Sequence, residues 1–197
     1  RVAEGSTLVL RPGGELLEAA PDDVLLFVNR REVRTLRGYI DALRKAKVDD
    51  RIAEMAMRWR QLRILRLADT PLTGTGSEQV AQAAVKFREL DLSGVPITAE
   101  TMRFTSYARV LRVLSLSNCP MTDEMSAHLF IMRGLQELNV DGTKLTAEGI
   151  VRITEQTPVS TLRVSAGLLS EKEKAYIAEN RPNLELIEVP QDESESK

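Results

Sequence analysis

The chain has 197 residues, 43% apolar and 28% charged, which fits a folded water-soluble domain and excludes a disordered one. Its net charge of −2 conceals a segregation: −3 over residues 1–29, +7 over residues 30–66 and −6 over residues 67–197. The longest apolar run, Val24 to Val28, is too short to cross a bilayer. The single cysteine, Cys119, allows no internal disulfide, so a reducing intracellular compartment, the cytoplasm, is expected.

In chain order, Thr7 to Leu10 reads as a strand and Arg11-Pro-Gly-Gly14 as a turn. Val24 to Val28 is a second strand. From Arg30 to Lys47 the apolar residues Val33, Leu36, Ile40 and Leu43 recur at helical spacing. Asp50 is placed to cap a further helix carrying Ile52, Met55 and Met57. Residues 1–59 are therefore expected to be an N-terminal cap or a separate small α/β flanking segment. The chain opens on Arg1 rather than methionine, the expectation for a piece of a longer protein.

From Leu62 a phrase recurs six times: Leu62-Arg-Ile-Leu65-Arg-Leu67, then equivalents starting at Phe87, Leu111, Leu135, Val159 and Leu184. The starts lie 25, 24, 24, 24 and 25 residues apart, and a fixed period in the twenties predicts a solenoid. Apolar residues occupy positions 1, 4 and 6 of each phrase, and the alternation of 4 and 6 is strand periodicity. A second signal follows: Thr70-Pro-Leu72-Thr73, Val95-Pro-Ile97-Thr98, Cys119-Pro-Met121-Thr122, Thr143-Lys-Leu145-Thr146 and Gly167-Leu-Leu169-Ser170. The apolar residue closes the layer, and the hydroxyl after it is a helix N-cap. Glu100, Asp123, Glu124, Glu148, Glu171 and Glu173 follow these caps and suit the positive end of a helix dipole.

Each unit is thus a strand, a turn and a helix, and neighbours must stack to bury its apolar face. The pattern L-x-x-L-x-L-x-x-[T/C]-x-[L/I/M]-T resembles the leucine-rich repeat family over residues 60–190, most closely its short helix-bearing subclass with Thr or Cys at position 9. The resemblance implies an α/β leucine-rich repeat solenoid: a short horseshoe arc, a parallel concave sheet, convex helices, and N- and C-terminal caps. Val95 and Gly167 depart from the position-9 preference, which is expected to weaken a side-chain ladder along that row. The polar helix from about Ser170 to Glu179 is expected to cap the array, and residues 191–197 to form a frayed acidic tail.

No catalytic, metal or cofactor site is expected. The Gly-containing turns lack the Lys-Ser/Thr of a phosphate loop. His128 and Cys119 are each the only residue of their type, too few for a zinc site, and Cys119 is read as a structural thiol. Side chains at positions 3, 5 and 7 leave the sheet on its open side, a strip roughly 24 Å wide for six strands about 4.8 Å apart. There Arg66, Glu89, Asp91, Ser115, Glu137, Asn139, Asp141 and Arg163 are the candidate residues for binding a partner protein, with an acidic cluster at the middle flanked by Arg66 and Arg163. The resemblance likewise implies a non-catalytic interaction module or scaffold that recognises its partner through the concave sheet. The alternative is a basic edge within residues 30–66, with Arg30, Arg34, Arg37, Arg44 and Lys45, meeting nucleic acid or an acidic surface.

Overall fold

A computed structural model describes residues 63–70 and 72–190, together with the backbone of Thr7–Val9, Leu26–Val28 and Arg31–Val33. Strands β1 (Thr7–Val9), β4 (Ile64–Arg66), β5 (Glu89–Asp91), β6 (Val113–Ser115), β7 (Glu137–Asn139), β8 (Thr161–Ser165) and β9 (Glu185–Val189) form one sheet in that spatial order. Every pairing in it is parallel. Strands β2 (Leu26–Val28) and β3 (Arg31–Val33) form a separate antiparallel pair. Helices α1 (Gly74–Ala83), α2 (Ala99–Ser106), α3 (Asp123–Ser126), α4 (Ala147–Gln156) and α5 (Glu171–Asn180) follow β4 to β8 in turn.

The register follows the repeat. Leu65, Leu90, Leu114, Leu138, Leu162 and Leu186 are successive ladder partners. The first five are buried, as are Leu67, Leu92, Leu116, Val140 and Val164 two residues on. Position 1 (Phe87, Leu111, Leu135, Val159) and the apolar residue after the turn (Leu72, Ile97, Met121, Leu145, Leu169) complete the same aliphatic core. Helices α1 and α2 are also joined by a buried hydrogen bond of 2.8 Å between Ser77 Oγ and Thr101 Oγ1.

Four of the five expected caps form: Thr73, Thr98, Thr146 and Ser170 each accept from the backbone N–H three residues on. Thr122 makes no side-chain cap bond, and α3 has four residues before a 3₁₀ segment, Ala127–Ile131. Here the buried residues are Ser126, Leu129, Met132 and Leu135, a strict spacing of three that matches the three-residue turn of a 3₁₀ helix.

The expected helix from Arg30 to Lys47 is corrected at its start, where Arg31–Val33 is strand β3. Val33 is the ladder partner of Leu26, and its branched Cβ suits a strand better than a helix. The rest of that helix, the Asp50 helix, the Arg11–Gly14 turn and the acidic tail lie outside the described residues. So do Arg30, Arg34, Arg37, Arg44 and Lys45.

Candidate functional site

The strands alternate between buried and half-exposed residues, so one sheet face packs on the core and the other is open. On the open face one row reads Ile64, Glu89, Val113, Glu137, Thr161 and Glu185, and the next reads Arg66, Asp91, Ser115, Asn139, Arg163 and Ile187. The structure therefore places all the candidate strand residues on this face, with Asp141 just beyond the end of β7.

Most of these groups already have partners within the chain. Arg66 Nε donates to Glu89 Oε1 at 2.5 Å and its Nη2 pairs with the same oxygen. Asp91 Oδ1 accepts from Ser93 N at 2.9 Å and Ser93 Oγ at 2.6 Å, and Ser93 Oγ lies 2.8 Å from Ser115 Oγ. Asn139 Oδ1 accepts from Asp141 N at 3.1 Å, while Asp141 Oδ1 accepts from Ser165 Oγ at 2.8 Å. The expected acidic cluster is thus largely tied up: Glu89 is neutralised by Arg66, while Asp91 and Asp141 are held by serines. Val113 separates Glu89 from Glu137 in their row. Glu137, which is exposed, and Arg163 on the neighbouring strand have no side-chain partner among the described residues.

Cys119 is buried under the turn, its Sγ donating to Leu92 O at 3.0 Å, and burial pushes its thiol up to about 12. That is the environment of an inert thiol. The position-9 ladder is interrupted as expected. Among the described residues, Thr70 and Thr143 bond carbonyls of their own units, Cys119 alone reaches the preceding unit, and Val95 contributes a backbone bond alone. His128 is half-buried in the 3₁₀ segment after α3, away from the open face.

Three features were not anticipated. Asp69, Gly94, Asn118 and Gly142 all have positive φ, at position 8 of consecutive phrases. The signal was present in the sequence, since Gly, Asn and Asp are the residues that tolerate that conformation. A Cβ on Gly94 would collide with the Asp69 carboxylate, and one on Gly142 with the Asn118 side chain, so side chain and bare glycine alternate down this row. Asp123 reaches from α3 to the next cap, accepting from Thr146 N at 2.9 Å and Thr146 Oγ1 at 2.6 Å. Arg181, just after α5, donates to Thr157 O at 2.8 Å, Val159 O at 2.7 Å and also Thr154 O.

No helix among the described residues is long and apolar enough to cross a membrane. No family model matches the sequence. No curated protein matches it either. Among solved structures, leiomodin-1 actin-binding site 2 is similar with a TM-score of 0.45 and 15% sequence identity, over 74% of this chain and 80% of that one. A likeness that distant carries nothing about what this chain binds.

Proposed function

We propose that this chain is a non-catalytic binding module of the leucine-rich repeat kind, an arc that holds a partner protein on its open sheet face. The observation that carries the reading is the register. Equivalent positions of units 24 or 25 residues apart become ladder neighbours, so variable side chains are set out in rows on a rigid sheet. Among the described residues nothing in those rows pairs an acid with a base in the manner of a catalytic site, whereas short polar side chains alternate with charges of both signs.

Contact centres on β7 and β8, because Glu137 and Arg163 are the charges there not already spent on internal pairs. A partner with a cation facing Glu137 and a carboxylate facing Arg163 gains two charge-assisted bonds without breaking any within this chain. The test is affinity capture with wild type, Glu137→Arg and Arg163→Glu, with and without nuclease. Loss of one protein by about tenfold or more in both variants, indifferent to nuclease, supports the reading. Equal capture by all three chains, or capture that nuclease abolishes, refutes it.

A further inference from the structure

One edge of the molecule, where each helix runs into the next strand, combines positive charge with exposed apolar groups. The segments 84–88, 107–112 and 131–136 contain no acidic residue. They carry Lys86, Arg88, Arg109, Arg112 and Arg133, and Arg63 precedes β4 at the same edge. Arg63, Arg88 and Arg112 are ladder neighbours: Arg88 N donates to Arg63 O at 2.6 Å and Arg112 N to Arg88 O at 2.8 Å. Adjacent strands lie about 4.8 Å apart, so the strand starts carry three arginines in one row. Burial, and then the nearby charge of Arg63, lower the pKa of Lys86. Compensation of helix C-terminal dipoles accounts for cations at a helix end such as Lys86, but not for a row at the strand starts.

The same segments expose apolar side chains. Of the five large hydrophobics exposed among the described residues, four lie here: Val85 (54%), Tyr107 (53%), Val110 (43%) and Ile131 (58%). Tyr107 and Ile131 both stand four residues before position 1 of adjacent phrases, so they are repeat-equivalent neighbours. The next two helix-to-strand connections lack the combination. Residues 157–160 carry no charge, and Arg181 is half-buried on backbone carbonyls, whereas Arg112, which donates to Gly134 O at 2.9 Å, remains exposed.

We propose that this edge is a docking surface for an anionic lipid bilayer, with the basic residues against acidic headgroups and Val85, Val110, Ile131 and Tyr107 in the interfacial layer. Cations interleaved with protruding aliphatic groups are what such an interface takes up. A nucleic acid would use the charges, but valine and isoleucine offer no ring for a base to stack on, and among the described residues of this edge Tyr107 is the one exposed aromatic.

The experiment is vesicle co-sedimentation with phosphatidylcholine alone and with a phosphatidylserine-rich mixture, alongside fluorescence anisotropy with single-stranded RNA. Arg88 and Arg133 are exposed and have no side-chain partner among the described residues, so the Arg88→Gln/Arg133→Gln variant keeps the internal bonds. Wild type is expected to sediment with phosphatidylserine vesicles only. The variant should lose about fivefold for each charge, roughly twenty-five-fold in all. Ile131→Ser, at an exposed site, should weaken sedimentation several-fold without changing its salt dependence. Circular dichroism melts check that each variant is folded. Absence of phosphatidylserine-dependent sedimentation, equal sedimentation by both variants and wild type, or RNA binding without vesicle binding would each overturn the proposal.

Discussion

At the scale of single residues, burial decides what Cys119 can do. Its folded thiol is held to about 12 against an ordinary value of 9.0, because the thiolate would sit in the core. Between those values the unfolded chain gives up this proton and the folded chain keeps it. Stability therefore falls as pH rises, at about 1.4 kcal/mol per pH unit for this one group. Urea unfolding of wild type and Cys119→Ala from pH 8 upward isolates the effect: the difference between them should shrink through this range, and parallel curves would contradict it. The role of Cys119 as an inert thiol was legible from its repeat position. The pairings on the open face were not. Arg66 stands at position 5 and Glu89 at position 3 of the next phrase, a diagonal that alternation alone does not single out.

At the scale of elements, caps were legible because a hydroxyl recurs directly after the apolar residue that closes each turn; acidity in the turn was no guide, since Thr73 caps a first turn without an acid and Thr122 fails before Asp123 and Glu124. Ser170 and Glu173 form the reciprocal box, Ser170 N donating to the Glu173 carboxylate at 2.7 Å. Ser170→Ala should cost about 1 kcal/mol in denaturant unfolding. Thr122→Ala should change stability by less than about 0.5 kcal/mol, since Thr122 makes no cap bond despite the same motif. If the two substitutions cost the same, the caps are not what distinguishes these helices. What the motif did not reveal was the length of α3. Met125, Leu129 and Met132 suggest an ordinary helix, yet burial at every third residue winds the segment into a 3₁₀ turn.

At the scale of the whole molecule, the period gave the sheet order directly, because each unit's buried leucine needs the next unit's leucine as its neighbour. The cost of removing one should therefore depend on its place in the stack. Leu114→Ala, in mid-sheet and fully buried, should destabilise by about 2–5 kcal/mol. Leu186→Ala, at the matching position of the last strand and only half-buried, should cost less than half as much by the same urea titration. The segment before Leu62 was less legible because it has no period to constrain it, and the expected helix there begins instead as β3.

The alternation at position 8 has a consequence for how such a chain can grow. Asp69 covers Gly94 and Asn118 covers Gly142, so a unit with a side chain at that turn is followed by one without. Duplicating a single unit would set two side chains, or two glycines, next to each other. Duplicating a pair would leave every contact in the row intact. For this turn the repeating unit of contact is two phrases long, twice the period of the leucines.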